Sequence, residues 1–299
     1  MKKTIFLILL VVACFNLSAQ TNSKFTGALL WKISGKDLSE PSYIFGSHHI
    51  IDKEFLDSIN GFDKAFNETK QVVGELLMAD QAATMQKIQS RAMLPVGYSY
   101  KDVLTAEEYE KTSMELKSLF GGDLDQLSIM HPAMITTMYT VVMFMKTFPD
   151  MGSIISVDEI LQKRGTEEGK PVIGLETAED QITVLFDSEP IDVQIKDLAC
   201  VVINSDYAKT GLLDLTNNYL RGDLNDMYNY AFFDKTNPCP SSEKTNNAIN
   251  KERNDKWLET LPEIMQTPSF IVVGALHLAG EEGLLYKLDK MGYTVEAVY

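Results

Sequence analysis

The chain has 299 residues, of which 45% are hydrophobic, and carries a net charge of −15. That apolar content suffices for a sizeable core and argues against a disordered chain, and the acidity argues against nucleic acid as a partner. The three cysteines include no CxxC pair, so neither a thiolate zinc site nor thioredoxin-like chemistry has support.

The chain begins MKKTIFLILLVVACFNLSAQ: two lysines, an apolar run from Ile5 to Phe15, and a small-residue end at Leu17-Ser18-Ala19. This reads as a secretory signal peptide over residues 1–19, cleaved after Ala19, with the protein exported to the periplasm or cell surface. A lipoprotein signal is the rival reading, because VVAC offers Cys14 as a lipid anchor. The run is too short to span a bilayer comfortably, and no later segment is apolar enough, so membrane contact is expected only through the leader or that anchor. Cleavage removes two lysines and no acid, taking the net charge from −15 to −17. Cys200 and Cys239 would then meet an oxidising compartment, where a disulfide and two buried thiols are both open readings.

Strand-like runs follow at 28–34, 42–47, 71–78, 171–176, 269–276 and 293–299, each short, β-branched or aromatic, and bounded by Gly, Pro or Ser. Helical patterns fill the intervals at 53–68, 79–93, 105–120, 123–148, 156–165, 177–187, a long tract over 190–233, and 244–265. Thr105, Ser156 and Thr177 are each followed three residues on by Glu108, Glu159 and Asp180, the signature of capped first turns. Continuous apolar strands alternating with helices predict an α/β fold: a mostly parallel central sheet with flanking helices. The link GKDLSEPS between the first two strands predicts a hairpin at that edge. Residues 20–299 read as a single domain, with helical insertions at about 79–155 and 190–265 that cap one end of the sheet.

Four strand exits share a plan: YIFGSHH, VVGELL, VIGLET and IVVGALH. Each runs through a glycine and then presents a chelating or titratable side chain: His49, Glu75, Glu176 and His277. Ligands of open parallel sheets collect beyond the carboxyl ends of the strands, so residues far apart in sequence can meet there. Glycine at that point permits a sharp turn or the close approach of another group. Two imidazoles and two carboxylates are a plausible first-row metal donor set.

His48 would face away from His49 and is read as packing. His131, before Pro132, is read as structural, and the methionines from Met134 to Met145 as core or cap packing. Glu281 and Glu282 fit the start of the following helix. In ERNDKW, Arg253 and Trp257 share a helix face: the arginine could clamp a carboxylate or meet an oxyanion, or its stem could simply pack on the indole. HExxH, GxSxG, P-loop and GxGxxG motifs are absent.

These residues resemble the TraB/PrgY/GumN family, related to the Tiki membrane-anchored metalloproteases. GSHH and GALH are similar to its paired Gly-x-x-His motifs, and VVGEL and PVIGLETAEDQ to its glutamate motifs. SVDEIL, ERNDKW and LAGEEGLLYKLDKMGY match weaker surrounding patterns, so the resemblance spans roughly 28–299. The departures are histidine at 48, where an apolar residue is more usual, and serine at 47, where threonine is commoner. The resemblance implies a core similar to erythromycin-esterase-like and haem-binding ChaN-like proteins and, for Tiki-type members, divalent-metal-dependent proteolysis.

The expectation is therefore an exported metal-dependent hydrolase acting on a peptide or protein substrate. His49, Glu75 and His277 would hold manganese, cobalt or zinc, Glu176 would serve as general base, and Arg253 would meet the oxyanion. The residues alone do not decide whether Glu75 and Glu176 exchange roles. A non-catalytic binder of a secreted peptide or haem, and a metal-free hydrolase with one histidine as base, are the competing readings.

Overall fold

The computed structural model describes residues 24–48, 51–78, 81–150 and 156–299. The expected leader, Cys14 and His49 lie outside these residues. Six strands form one sheet: β1 (Leu30–Ser34), β2 (Ser42–Ser47), β3 (Gln71–Leu76), β4 (Val172–Glu176), β5 (Ser269–Gly274) and β6 (Thr294–Ala297). Their order is β4-β3-β5-β2-β1-β6. β4, β3, β5 and β2 run parallel, while β1 is antiparallel to both β2 and β6, so the expected hairpin closes that edge. Every residue of β2 and β5 is buried, which is why these two strands read as unbroken apolar runs rather than as alternating ones.

The helices are α1 (Phe62–Glu68), α2 (Gln81–Arg91), α3 (Tyr100–Val103), α4 (Ala106–Phe120), α5 (Leu124–Leu127), α6 (Pro132–Thr147) and α7 (Val157–Glu167). After β4 come α8 (Ala178–Asp187), α9 (Ile191–Ile203), α10 (Ser205–Leu220), α11 (Leu224–Phe233), α12 (Glu243–Asn246), α13 (Glu252–Ile264) and α14 (Leu284–Lys290). Thr105 and Thr177 form complete capping boxes with Glu108 and Asp180, and the Ser156 hydroxyl accepts from the Glu159 N–H. Two expected helices are divided, for local reasons. The 53–68 pattern breaks at Gly61, whose φ of 74° is left-handed. The 123–148 pattern breaks before Pro132: the residue ahead of a proline is driven to extended backbone, so His131 becomes a cap instead of a helical residue.

Two separate cores result. The larger one covers the sheet: α1 lays Phe62 and Phe66 over Phe45 and Phe270, with ring centroids 5.1–5.2 Å apart. Trp257 and Leu261 of α13, Leu284, Leu285 and Leu288 of α14, and Tyr219 of α10 join it. The smaller core is wholly helical, uniting Tyr100, Leu116, Leu124, Ile135 and Tyr139 of the first helical stretch with Ile195, Leu198 and Val202 of α9. The two strand-free stretches expected as insertions thus part company: α9 packs into this cap, whereas α10, α11 and α13 contribute to the core over the sheet. A disulfide joins Cys200 at the end of α9 to Cys239 in the loop before α12.

At the strand exits, glycine serves close approach. A Cβ on Gly46 would sit 3.0 Å from the Ala275 Cα and 2.9 Å from the Leu278 side chain. On Gly74 it would strike the Gln162 amide, which donates to the Leu76 carbonyl and accepts from the Met78 N–H. Because the obstacle at Gly46 is backbone, Gly46→Ala should destabilise the fold by about 1–3 kcal/mol, the usual cost of overpacking. Denaturant unfolding measures this, and an unchanged midpoint would contradict the close-packing reading.

Candidate functional site

The parallel register brings the strand exits together. Gly74 of β3 stands beside Gly174 of β4 and Val272 of β5, and Ser47 of β2 stands beside Gly274 of β5. Glu75 and Glu176 therefore leave neighbouring strands at the same end of the sheet, and the short helical turn Ala275–His277 follows β5 there. α13 crosses this end, preceded by a π-helical turn over Asn247–Lys251. Such widened turns recur at functional sites because they rephase the side chains that follow. Asn250 of that turn and Arg253, Asn254 and Trp257 of α13 lie at helical spacing, toward the strand ends.

Arg253 is the hub. Its Nη2 donates to Glu75 Oε2 and to Glu176 Oε1, each at 2.6 Å, and its Nε donates to Glu176 Oε2 at 3.0 Å. Its Nη1 lies 2.9 Å from His277 Nε2. The guanidinium also stacks over Trp257, 4.8 Å from the ring centroid, while the indole N–H reaches Glu176 Oε2. Clamping carboxylates and packing on the indole, posed as alternatives by the sequence, coexist. Burial works against the Arg253 charge, but the hydrogen bond to Glu176 and the charges of Glu75 and Glu176 outweigh it and hold its pKa above the ordinary value.

The two glutamates differ in surroundings. The Glu176 side chain is only 1% exposed, and its oxygens are engaged by Arg253 and Trp257. Glu75 accepts from the Gly274 N–H at 2.7 Å and lines a cavity of about 440 Å³. Arg253 shares the cavity floor, and α6 (Ala133, Thr136, Thr137), α8 (Gln181, Val184, Leu185) and α9 (Gln194, Asp197) form its walls. Burial, with the Glu189 charge added, pushes the Asp197 carboxyl up. A second cavity of about 380 Å³ opens on Glu75 from the side of Leu77, Ile88 and Asp158. His277 is buried, with Nε2 3.9 Å from Glu75 Oε1 and the ring 4.6 Å from Trp257.

Of the five residues singled out in the sequence, the structure brings Glu75, Glu176, Arg253 and His277 into one cluster, and His49 lies outside the described residues. Its neighbour His48 packs between Phe144 and Tyr219, with ring centroids 5.4 and 5.2 Å away. His131 accepts from the Ala133 N–H as the cap of α6, and burial lowers its pKa. Glu282 pairs with Lys287 and Lys251 beside the site instead of joining it. Sequence reasoning missed Asn254, whose Oδ1 lies 2.8 Å from His277 Nδ1, and Asp158, whose carboxylate accepts from the Ser47 hydroxyl. Asn254 adjoins Arg253 inside ERNDKW, and Asp158 sits inside SVDEIL, so both lay within stretches already marked.

Among the described residues, no group of three or more His, Cys, Asp or Glu side chains is arranged to hold a metal ion. Glu75 and His277 nevertheless suit a cation chemically. Two carboxylates against one guanidinium leave the cluster one negative charge in excess when the imidazole is neutral. The 3.9 Å from Nε2 to Oε1 is a span that two metal bonds of about 2.0–2.2 Å can bridge. Arg253 Nη1 approaches the same Nε2, so a cation and this N–H compete for one lone pair.

The model of the TraB/PrgY/gumN family matches residues 29–297, and the chain belongs to that family. No curated protein and no solved structure matches it.

The Arg253–Glu176 pair carries a stability prediction. Removing one partner of a buried pair strands the other charge, at a cost of about 3–5 kcal/mol. Arg253→Met should therefore destabilise strongly, and Glu176→Gln added to it should recover part of the loss. Denaturant unfolding of the two single variants and the double variant reads this coupling, and additive effects would show that the pair is not a unit.

Proposed function

We propose that this member of the family is an exported hydrolase acting on peptide or protein substrates, with a divalent metal such as manganese, cobalt or zinc at the strand-end cluster. The observation that carries the reading is the meeting of Glu75, Glu176, Arg253 and His277 at the strand ends, where Glu75 and Arg253 face a cavity lined in part by amide- and hydroxyl-bearing side chains. Gln181, Gln194, Thr136 and Thr137 offer donors and acceptors suited to a peptide backbone, and Val184, Leu185 and Ile249 offer apolar contact. Export is supported by the leader-like start of the chain and by the Cys200–Cys239 disulfide, which persists in an oxidising compartment. No helix of the described residues is long and apolar enough to cross a membrane.

In this reading His277 and Glu75, with His49 of the first motif, hold the metal. When bound, such an ion polarises a carbonyl and lowers the pKa of water toward about 7. Arg253 presents N–H groups at the cavity floor, where they would stabilise an oxyanion. Glu176, expected from the sequence as general base, is better suited to fixing Arg253, because both its oxygens accept from that guanidinium and its side chain is only 1% exposed. The carboxylate that lines the cavity is Glu75, which suits it to the ligand role.

Incubation of the purified chain with a peptide library, with and without added manganese, cobalt or zinc and with a chelator, tests the proposal. Cleavage should require metal and should fall by at least about 10–100-fold in His277→Ala and Glu75→Gln, the loss seen even for groups that only orient a metal ligand, with circular dichroism unchanged. Cleavage that survives chelation returns the reading to a metal-free hydrolase, and tight peptide binding without cleavage returns it to a binding protein.

A further inference from the structure

His277 is held from two sides, and both sides dictate where its proton sits. On one side Arg253 Nη1 lies 2.9 Å from Nε2. A guanidinium has five donors and no acceptor, so Nε2 must accept and carry no proton. On the other side Asn254 Oδ1 lies 2.8 Å from Nδ1. The orientation of that amide is set independently of the ring: Asn254 Nδ2 donates to the Glu282 carbonyl at 2.8 Å and to the His277 carbonyl at 3.2 Å. Carbonyls only accept, so the nitrogen must face them and the oxygen must face the imidazole. Asn254 is fully buried, which leaves water no access to replace these bonds. One helical turn earlier, Asn250 Nδ2 donates to the Leu276 carbonyl, and its Oδ1 accepts from Asn254. Asn250 of the π-helical turn and Asn254 of α13 thereby grip three backbone carbonyls of the segment that carries His277.

We propose that Asn254 is a positioning residue that locks His277 as the tautomer protonated on Nδ1, aiming the Nε2 lone pair at Arg253 and Glu75. The inference rests on the functional reading above for its purpose, since a ligand and a proton acceptor both need that lone pair. The lock itself requires no turnover, and so it can fail or hold independently of hydrolysis. The selectivity is geometric. With the proton on Nε2, the ring would point N–H at N–H toward Arg253 and lone pair at lone pair toward Asn254, losing two hydrogen bonds in a site sealed from solvent.

Long-range proton–nitrogen NMR of the ¹⁵N-labelled full chain distinguishes the two ring nitrogens by whether each is protonated. His277→Gln assigns the signal by its disappearance. At pH 8 the wild-type ring should show a single neutral tautomer with Nε2 unprotonated. Asn254→Ala removes one bond that favours this state and should shift the tautomer ratio by roughly tenfold toward the Nε2-protonated form, in line with the loss of one hydrogen bond. Asn250→Ala, which leaves the ring contact in place, should not alter the ratio. A wild-type ring protonated on Nε2, an imidazolium at pH 8, or an unchanged tautomer in Asn254→Ala would each overturn the lock. Should Asn254→Ala not fold, the wild-type and Asn250→Ala spectra still decide, because a mixed or Nε2-protonated ring in either is incompatible with it.

Discussion

One guanidinium organises the carboxyl end of the sheet. Glu75 and Glu176 leave adjacent parallel strands, and without a cation between them two carboxylates would be crowded into a largely buried space, where like charges repel strongly and hydration is lost. Arg253 resolves this with a planar fork that lysine could not imitate: its three nitrogens reach four acceptor atoms on three residues at once while the flat face rests on Trp257. The glutamates in turn hold the guanidinium, so each group's position depends on the others. The unit is thus set by electrostatics at least as much as by the backbone.

The supporting structure explains why α13 carries the arginine. Trp257 and Leu261 are fully buried in the core over the sheet, and Asn250 and Asn254 grip the segment after β5, so the helix is fixed both to the sheet and to the strand exit it serves. Close approach at Gly46 lets the turn bearing His277 lie against β2, which would be impossible with a side chain there. Above this floor stands the second, all-helical core, and the cavity lies along the seam: its floor comes from the sheet core and α13, and its walls come partly from α6 and α9 of the cap. Floor and walls of the cavity are therefore parts of the fold with separate hydrophobic support, an arrangement in which the walls can vary while the floor is kept.

Much of this architecture was legible in the sequence because it depends on local patterns. Buried parallel strands must be largely apolar, and the four parallel strands were visible for that reason, the two antiparallel edge strands by their branched and aromatic residues; the capping residues at 105, 156 and 177 marked helix starts; and a glycine before each polar strand exit marked the crevice. The convergence of Glu75, Glu176 and His277 could be inferred from the rule that such exits share one edge. What the sequence withheld were relations with no local pattern. Nothing in a string of residues tells that the Glu176 side chain is more fully enclosed than that of Glu75, since both follow apolar runs and both follow glycine. Asn254 was unreadable for a similar reason: an asparagine in a helix is ordinary until the carbonyls it meets are known. The division of the 190–265 stretch between two cores likewise depends on packing partners drawn from elsewhere in the chain.

The charge balance of the cluster finally constrains what chemistry it can host. With a neutral imidazole, two glutamates and one arginine leave one unit of negative charge in a site largely withdrawn from water, and the neighbouring walls add Asp197 and Glu189, the latter paired with Lys244. An anionic substrate would add charge of the same sign and would have to pull Arg253 from its carboxylates. A neutral amide bears no such penalty, and a cation entering between Glu75 and His277 would relieve the excess while loosening the hold of Nη1 on Nε2. The same event that supplies a Lewis acid would then turn an N–H of Arg253 toward the cavity. Were a cation to enter there, its binding and the freeing of that N–H would be one exchange of partners around a single nitrogen.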